Sequence, residues 1–555
     1  MGLETLLLNR GLVSPKQVDE ALAAQRESGE RLDRVLLKMG HVDRAAIMQA
    51  VSDQFSMEII DLASTTVDAE TLALLPSRLI YRLQCVPISK NEQSIRVATS
   101  DPFDLSSFDE LSLVTGMPIE LVLADEEELR RFIRTHYGVA GDTLEALQAE
   151  QTEAVSELAD DEEGQAELAS VIRLVNEVLI EAIRERATDV HIEPYERHLS
   201  IRYRVDGLLM HASVPSSVDQ YRNAIISRLK IMANLNVAER RLPQDGRITM
   251  RYDGRQFDLR LSVIPMIHGE GVVLRILDAT SGIMPLKDLG MQANVLEPWD
   301  QAIACPHGLL LVTGPTGSGK STTLYASLNG VITEEVKAIT IEDPVEYHIE
   351  GLNQIQVHSG VGLSFAAGLR AVLRHDPDIV MVGEIRDRET AEAAIQASLT
   401  GHLVFSTLHT NDAAGAMPRL MDMGVEPFLV SSSVEGVLAQ RLVRRICPDC
   451  RQTWTPEGSE LPPWLDVRPG TTLAMGQGCR TCRQTGFRGR VGLYEFLGIG
   501  PRVRQEVIKR ASGSELAAVA AQEGMLTTLA MAGRQAVLDG LTTPDEVARV
   551  AATNV

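Results

Sequence analysis

Apolar residues in the first 54 positions recur at intervals of three and four, and the pattern repeats 29 residues further on. The matched pairs are Leu3/Leu32, Leu6/Val35, Leu7/Leu36, Leu8/Leu37, Gly11/Gly40, Val13/Val42, Val18/Ile47, Leu22/Val51 and Gln25/Gln54. This spacing predicts two similar units, each a helix closed by Gly11 or Gly40 and followed by a second amphipathic helix. Asp43 caps the later helix of the second unit, and Ser14-Pro15 opens that of the first. Strand-like runs then appear at Cys85-Val86-Pro87-Ile88 and Ile95-Arg96-Val97-Ala98, mixed with helical stretches that end at His136-Tyr137-Gly138. Helical spacing returns from Ser170 to Arg186, followed by the alternating run Leu199 to Val205 and a turn at Asp206-Gly207. Beyond about residue 285, short apolar strands alternate with helices, the pattern of a parallel sheet with crossover helices.

These changes of period divide the chain into a tandem helical repeat (1–62), a small α/β module (63–138), an α/β domain (168–285) and a larger α/β domain (286–555). The remaining segment, 139–167, is a linker: between Thr135 and Ile172 there are ten acids and no Lys or Arg, a self-repelling run that builds no core. The length of 555 residues accommodates such a division, at about 150 residues per domain. With 44% hydrophobic and 23% charged residues, the composition is that of a globular protein and excludes collagenous, low-complexity and disulfide-scaffold classes. A formal charge of -23, from 76 acids and 53 bases, repels phosphate backbones, so no nucleic-acid partner is expected. The Leu6-Leu7-Leu8 stretch ends at Asn9 and Arg10, and no apolar run reaches 18 residues, so neither a signal peptide nor a membrane span is expected.

The clearest chemistry is Gly314-Pro315-Thr316-Gly317-Ser318-Gly319-Lys320-Ser321, which fits the phosphate-loop pattern G-x-x-x-x-G-K-[ST]. It follows the apolar run Leu309 to Val312 and precedes the helical Thr322-Thr323-Leu324-Tyr325, so strand, loop and helix come in the required order. Glycines let backbone N–H groups turn toward the phosphates, Lys320 reaches the β/γ oxygens, and Ser321 holds Mg²⁺. Hydrolysis also needs carboxylates at strand ends, and two apolar runs deliver them: Ala338 to Ile341 into Glu342-Asp343-Pro344-Val345-Glu346, and Ile379 to Val382 into Gly383-Glu384. A third run, Leu403 to Leu408, is flanked by His402 and His409, which either close a strand or belong to the site.

Four of the six cysteines form two Cys-x-x-Cys pairs, Cys447/Cys450 and Cys479/Cys482, separated by 28 residues. Two such knuckles place four thiolates around one structural Zn²⁺ and staple a segment of about 447–490 too small for its own core. A redox dithiol or free thiols are the alternatives. Four thiolates leave no open position for catalysis.

Taken together, the phosphate loop, Thr340 through Tyr347, Leu369 through Asp387, and Thr400 through Thr410 resemble the Walker A, Asp box, Walker B and His box of the type II/type IV secretion and pilus assembly ATPases. The stretches Lys320 to Ala326, Ala397 to His402 and Gly436 to Arg444 are most similar to the type II secretion (GspE) type. The resemblance implies a RecA-like domain preceded by a smaller, PAS-like domain. It also implies a homohexameric, ATP-hydrolysing motor at the cytoplasmic face of the bacterial inner membrane, driving assembly of a pilin-like filament. Glu342 would polarise the attacking water, with Glu346 the second choice. Glu384 would hold the Mg²⁺-bound water, and His409 would sense the γ-phosphate. Arg370 and Arg374 would neutralise phosphate charge, and Arg204 and Arg228 of the smaller domain would add further cations. The chain departs from the family at His268-Gly269-Glu270-Gly271, where Gly271 replaces an arginine, while Arg247 keeps its place.

The N-terminal repeat resembles modules of secretion ATPases, some of which bind cyclic di-GMP through Arg-Leu-Gly at the start of each unit. Here the units begin Gly2-Leu3-Glu4 and Arg31-Leu32-Asp33, and acids beside a phosphodiester are unfavourable. Docking to an inner-membrane platform protein and its cytoplasmic adaptor domain is therefore expected, and cyclic di-GMP is not. Alternatives to a secretion motor are a type IV pilus assembly ATPase and a nucleotide-gated scaffold without hydrolysis. A nucleic-acid translocase is disfavoured by charge.

Overall fold

The computed structural model describes residues 6–8, 10–28, 32–91, 93–101, 105–138, 162–278, 284–456, 461–465, 467 and 470–551. Gly2, Leu3, Glu4, Arg31 and most of the acidic segment lie outside the described residues. The chain forms two compact units: Met1–Tyr252 with Asp258–Ile276, and Asp253–Phe257 with Leu277–Val555.

In the first unit, helices span Pro15–Ser28, Leu32–Lys38 and Arg44–Phe55. The 29-residue sequence repeat reappears as a repeat of helix-closing hydrogen bonds. The N–H groups of Gly11 and Leu12 donate to the carbonyls of Leu8 and Leu7, and those of Gly40 and His41 to Leu37 and Leu36. Gly11 and Gly40 have φ of 67° and 68°, the left-handed geometry such a helix end demands. Asp43 accepts from the Ala46 N–H at 2.7 Å, as a helix cap does. A three-stranded sheet follows, with β1 (Cys85–Lys90) antiparallel to β2 (Ile95–Thr99) and β2 parallel to β3 (Ile119–Leu123). The rest of this unit is built on a six-stranded sheet of β4 (Asp189–Pro194), β5 (Leu199–Val205), β6 (Leu208–His211), β7 (Gln244–Tyr252), β8 (Arg255–Met266) and β9 (Gly269–Asp278). Their order is β6-β5-β4-β9-β8-β7. Val175, Val178 and Leu179 of helix Glu162–Arg184, and Ile225 and Leu229 of helix Arg222–Met232, share a core with Ile201, Tyr203, Leu259 and Leu261 of the sheet.

The second unit is organised by an eight-stranded sheet of order β12-β11-β13-β14-β10-β15-β18-β19. Its strands are β10 (Gly308–Thr313), β11 (Ala338–Glu342), β12 (Asn353–Gln356), β13 (Ile379–Val382), β14 (Leu403–Leu408), β15 (Val434–Ile446), β18 (Phe487–Gly498) and β19 (Leu526–Thr527). Between β15 and β18, β16 (Arg451–Trp454) pairs with β17 (Leu473–Gly476) as a separate ribbon. Strands β10 to β14 and the β10–β15 pair run parallel, whereas β18 is antiparallel to β15. Alternate residues of β10 enter different cores: Leu309 and Leu311 on one face, Leu310 and Val312 on the other. Both faces are thus covered, which explains why these strands read as unbroken apolar runs. Ligands bind such sheets outside the carboxyl ends of the parallel strands.

Candidate active site and candidate metal centre

Strand β10, buried at every residue, runs into the loop 314–319. A Cβ at Gly314 (φ 148°) would stand 2.6 Å from the Gln440 carbonyl and 2.7 Å from Ser318 Oγ, so only glycine fits. Gly319 (φ 89°) turns the chain into the helix Lys320–Val331, whose free N–H groups and dipole favour an anion. Lys320 Nζ donates to the carbonyls of Gly314 (2.9 Å) and Pro315 (3.1 Å), bonds that phosphate oxygens would replace. Burial lowers the pKa of Lys320, the nearby Glu384 charge opposes that shift, and Arg441 reinforces it. Ser318 Oγ is buried with no hydrogen-bond partner, as expected of a group awaiting a phosphate oxygen. Pro315, Thr316, Gly317, Ser321 and Thr322 are exposed, leaving the hydroxyls of Ser321 and Thr322 open to a cation and its phosphates.

The carboxylates and the histidine arrive at the same edge of the sheet. Glu384 lies two residues past β13, with His409 Nε2 3.4 Å from one carboxylate oxygen and Arg386 2.7 Å from the other. An exposed Ser321 hydroxyl and a largely buried Glu384 carboxylate are the hard oxygen donors that Mg²⁺ takes. Glu342 ends β11 and is 4% exposed. It accepts from Tyr325 Oη, from Thr340 Oγ1 at 2.6 Å and from Gln354 Nε2 at 3.1 Å. The two strand ends touch: the Gly383 N–H donates to the Ile341 carbonyl at 2.8 Å. Glu346 donates its N–H to Tyr325 Oη at 3.2 Å. Arg370 and Arg374 make local contacts instead: Arg370 with Glu389 at 3.6 Å, and Arg374 with the Arg370 carbonyl at 2.7 Å.

Sequence reasoning missed the residues that β15 and β18 contribute. Thr313 pairs with Ala439 across β10 and β15, so Gln440 and Arg441 fall beside the phosphate loop. Gln440 Oε1 accepts from Thr323 Oγ1 at 2.8 Å, both groups being buried. Arg441, 7% exposed, donates to the Gln440 carbonyl at 3.1 Å and the Asn411 carbonyl at 2.7 Å. Its guanidinium lies 3.2 Å from where a Gly314 Cβ would be. Glu495 on β18 is buried and accepts from the N–H groups of Ala413 (2.7 Å) and Leu529 (3.1 Å). Burial raises its pKa, against the pull of those N–H groups and of Arg441. A buried arginine and a buried glutamate far apart in sequence leave no spacing signal that would have revealed them.

The remaining candidate arginines belong to the first unit. Arg204 donates to the Gly207 carbonyl at 3.1 Å and lies 3.7 Å from Asp189, which Arg275 also approaches at 3.2 Å. Arg228 is half-buried on its helix, with a buried Nε that has no hydrogen-bond partner. Arg247 pairs with Asp258. At Gly271 a Cβ would overlap the thioether of Met266, so the methionine fills the space that a side chain at this position would need. The neighbouring Glu270 is buried against Lys230, itself 0% exposed and bonded to the Glu239 carbonyl at 2.7 Å.

Cys447, Cys450, Cys479 and Cys482 bring their four sulfurs within 4.8 Å of one another. The sulfurs of Cys447 and Cys479 and those of Cys450 and Cys482 are 3.7 Å apart, and those of Cys479 and Cys482 are 3.6 Å apart. A tetrahedron with metal–sulfur bonds of about 2.3 Å has edges of about 3.8 Å, so the four thiols fit a single tetrahedral ion. Burial pushes the Cys450 thiol up to about 12. Burial also opposes ionisation of Cys482, but the N–H groups of Cys479 and Gly486 outweigh it and bring that thiol to about 7. Cys447 directly follows β15, and Cys479 and Cys482 lie in the segment that leads into β18; these two strands also supply Gln440, Arg441 and Glu495.

A family model described as type II/IV secretion system protein matches residues 164–549, and the MshEN domain matches residues 55–143. The type IV pilus assembly ATPase PilB of Myxococcus xanthus is 41% identical over 560 residues, covering 98% of both chains. The type II secretion system protein E of Xanthomonas campestris pv. campestris is 40% identical over 554 residues, covering 98% of this chain and 97% of the relative. Among solved structures, the Legionella pneumophila ATPase DotB superposes with a TM-score of 0.51 at 22% identity, over 68% of this chain and 95% of its own. That likeness shows the fold, a RecA-like α/β unit carrying the phosphate loop. No helix among the described residues is long and apolar enough to cross a membrane.

Proposed function

The chain belongs to the type II/IV secretion system protein family, and from that membership we propose that it is a hexameric ATPase motor for type II protein secretion. Its hydrolysis cycle drives assembly of a pilin-like filament from the cytoplasmic face of the inner membrane. The observation that carries the reading is the meeting of Lys320, Ser321, Glu384 and His409 at the carboxyl edge of β10, β13 and β14, with Glu342 on the adjoining strand end. A scaffold that only gated assembly would not need this hydrolytic set.

In the proposed mechanism Lys320 leaves the loop carbonyls for the β/γ-phosphate oxygens, and the N–H groups of 314–319 cradle them. Ser321 and, through water, Glu384 would hold Mg²⁺, which would supply charge neutralisation at the phosphates. Glu342 orients the water that attacks the γ-phosphorus, and His409, already against Glu384, reports whether that phosphate is present. Arg370, Arg374, Arg204 and Arg228 supply further positive charge when nucleotide and neighbouring subunits are in place. Cys447, Cys450, Cys479 and Cys482 would hold one structural Zn²⁺.

The N-terminal region would dock on the platform protein and its adaptor domain. Cyclic di-GMP is not expected as its ligand, because Glu4 and Asp33 stand where small residues would admit a phosphodiester. A second reading, a type IV pilus assembly motor, is favoured by the full-length similarity to PilB. Ser321, in a position where pilus assembly ATPases more often carry threonine, supports secretion.

Replacing the chromosomal copy with Lys320→Ala and scoring secreted proteins and surface pili in one strain tests this. Loss of secreted proteins with pili intact is the expected result. Loss of pili alone would transfer the motor to pilus assembly, and loss of neither would remove the motor reading.

A further inference from the structure

We infer that Tyr325 is a positioning residue that holds the Glu342 carboxylate in one orientation for the attacking water and ties that orientation to the phosphate-loop helix. The inference rests on the reading of Glu342 as the group that polarises water. Tyr325 is 1% exposed, and its ring is tilted at 72° against that of Tyr347, with centroids 5.9 Å apart. Its hydroxyl donates to Glu342 Oε2 and accepts from the Glu346 N–H at 3.2 Å, so donor and acceptor capacities are both engaged. Burial, followed by the adjacent Glu342 charge, raises the pKa of the phenol, which therefore remains a proton donor throughout the working range.

An ionised carboxylate offers about four acceptor positions. Thr340 and Gln354 occupy two on Oε1, and Tyr325 occupies one on Oε2. One position is left for water, on the oxygen that Tyr325 holds. Thr340 and Gln354 lie on β11 and β12, paired neighbours in the sheet that carries Glu342. Tyr325 alone of the three donors lies on the helix that Lys320 opens, five residues or about 7.5 Å along its axis. A shift of that helix as phosphates replace the Lys320–carbonyl bonds would carry the hydroxyl with it, because the packed ring has no freedom to lag. Among the described residues the second carboxylate, Glu384, makes no hydrogen bond to the helix: it pairs with Arg386 and His409 and feels Lys320 only through its charge.

The test uses the full-length chain, with ATP turnover and equilibrium binding of a fluorescent ATP analogue measured for Tyr325→Phe, Glu342→Gln and the double variant. Removing one hydrogen bond to a charged group should lower kcat about tenfold in Tyr325→Phe. KM and analogue affinity should stay within about twofold, since the missing bond does not touch nucleotide. Glu342→Gln should lose much more, and the double variant should be no slower than Glu342→Gln, because Tyr325 acts through Glu342. A Tyr325→Phe kcat within about twofold of wild type overturns the inference, as does a double variant in which the two losses multiply. A parallel loss of analogue binding in Tyr325→Phe also overturns it, since that would mark a merely structural tyrosine. A Glu342→Gln enzyme with half or more of the wild-type kcat would instead remove the reading of Glu342 itself, independently of Tyr325→Phe.

Discussion

Arg441→Met is the perturbation that most directly probes the residues hidden from sequence. Methionine keeps much of the side chain's length while deleting its charge and its donors. The buried Gln440 carbonyl and the carbonyl of the exposed Asn411 would lose their partners at 3.1 and 2.7 Å. The buried Gln440 carbonyl left unsatisfied costs about 2 kcal/mol, the Asn411 carbonyl can turn to water, and Glu495 would lose a compensating cation worth about 1 kcal/mol, for a total of about 3 kcal/mol. The raised pKa of Glu495 caps that sum, because the buried carboxyl can take up a proton instead of remaining an isolated charge. In a unit of this size about 3 kcal/mol corresponds to a fall in Tm of about 6 °C. The variant should also bind ATP more weakly, since the guanidinium lies between the Asn411 carbonyl and Gly314 and so braces the His409 loop against the phosphate loop. Thermal unfolding with and without a non-hydrolysable ATP analogue measures both effects. A Met variant that melts within about 1 °C of wild type and keeps its nucleotide-induced stabilisation would refute the reasoning.

Two further outcomes follow from other parts of the second unit. Elemental analysis of purified protein should find about one zinc per chain, lost on Cys447→Ser together with Cys482→Ser; a fully folded chain free of metal would contradict the four-thiolate site. At the foot of β15, burial pushes the Glu546 carboxyl up, but Arg444 at 2.6 Å and Arg549 at 2.8 Å outweigh it and hold it at about 2. Its folded pKa lies below the unfolded value, so its contribution is present above the usual carboxylate range and disappears as pH falls toward 2. Glu546→Gln should therefore destabilise the protein at neutral pH, with the gap to wild type narrowing through acid unfolding titrations below about pH 4.5. A gap independent of pH would refute the assignment.

Much of the site was legible because its chemistry is contiguous. A phosphate loop is a run of eight residues whose glycines and lysine act on a ligand through their own backbone and one side chain, so the pattern is complete without knowing the fold. Glu342, Glu384 and His409 were legible for a related reason: each follows an apolar run, and such runs become buried parallel strands whose ends share one edge. The cysteine pairs and the 29-residue repeat carry their spacing in the sequence itself. Arg370 and Arg374 lie where the family resemblance placed them along the chain, but their side chains bond locally to Glu389 and to the Arg370 carbonyl.

By itself the sequence determined which residues form the loop, the strand ends and the thiol cluster, because those depend on neighbours a few positions away. The tertiary structure alone decided what surrounds them. The parallel register of Thr313 with Ala439 carries Gln440 and Arg441 to a loop more than a hundred residues earlier. The packing of helix Lys320–Val331 against β10 and β14 buries Tyr325 and brings its hydroxyl to Glu342 of β11. Sheet order and register arise from burying many apolar residues at once, and no local spacing encodes which polar side chains that burial will bring together.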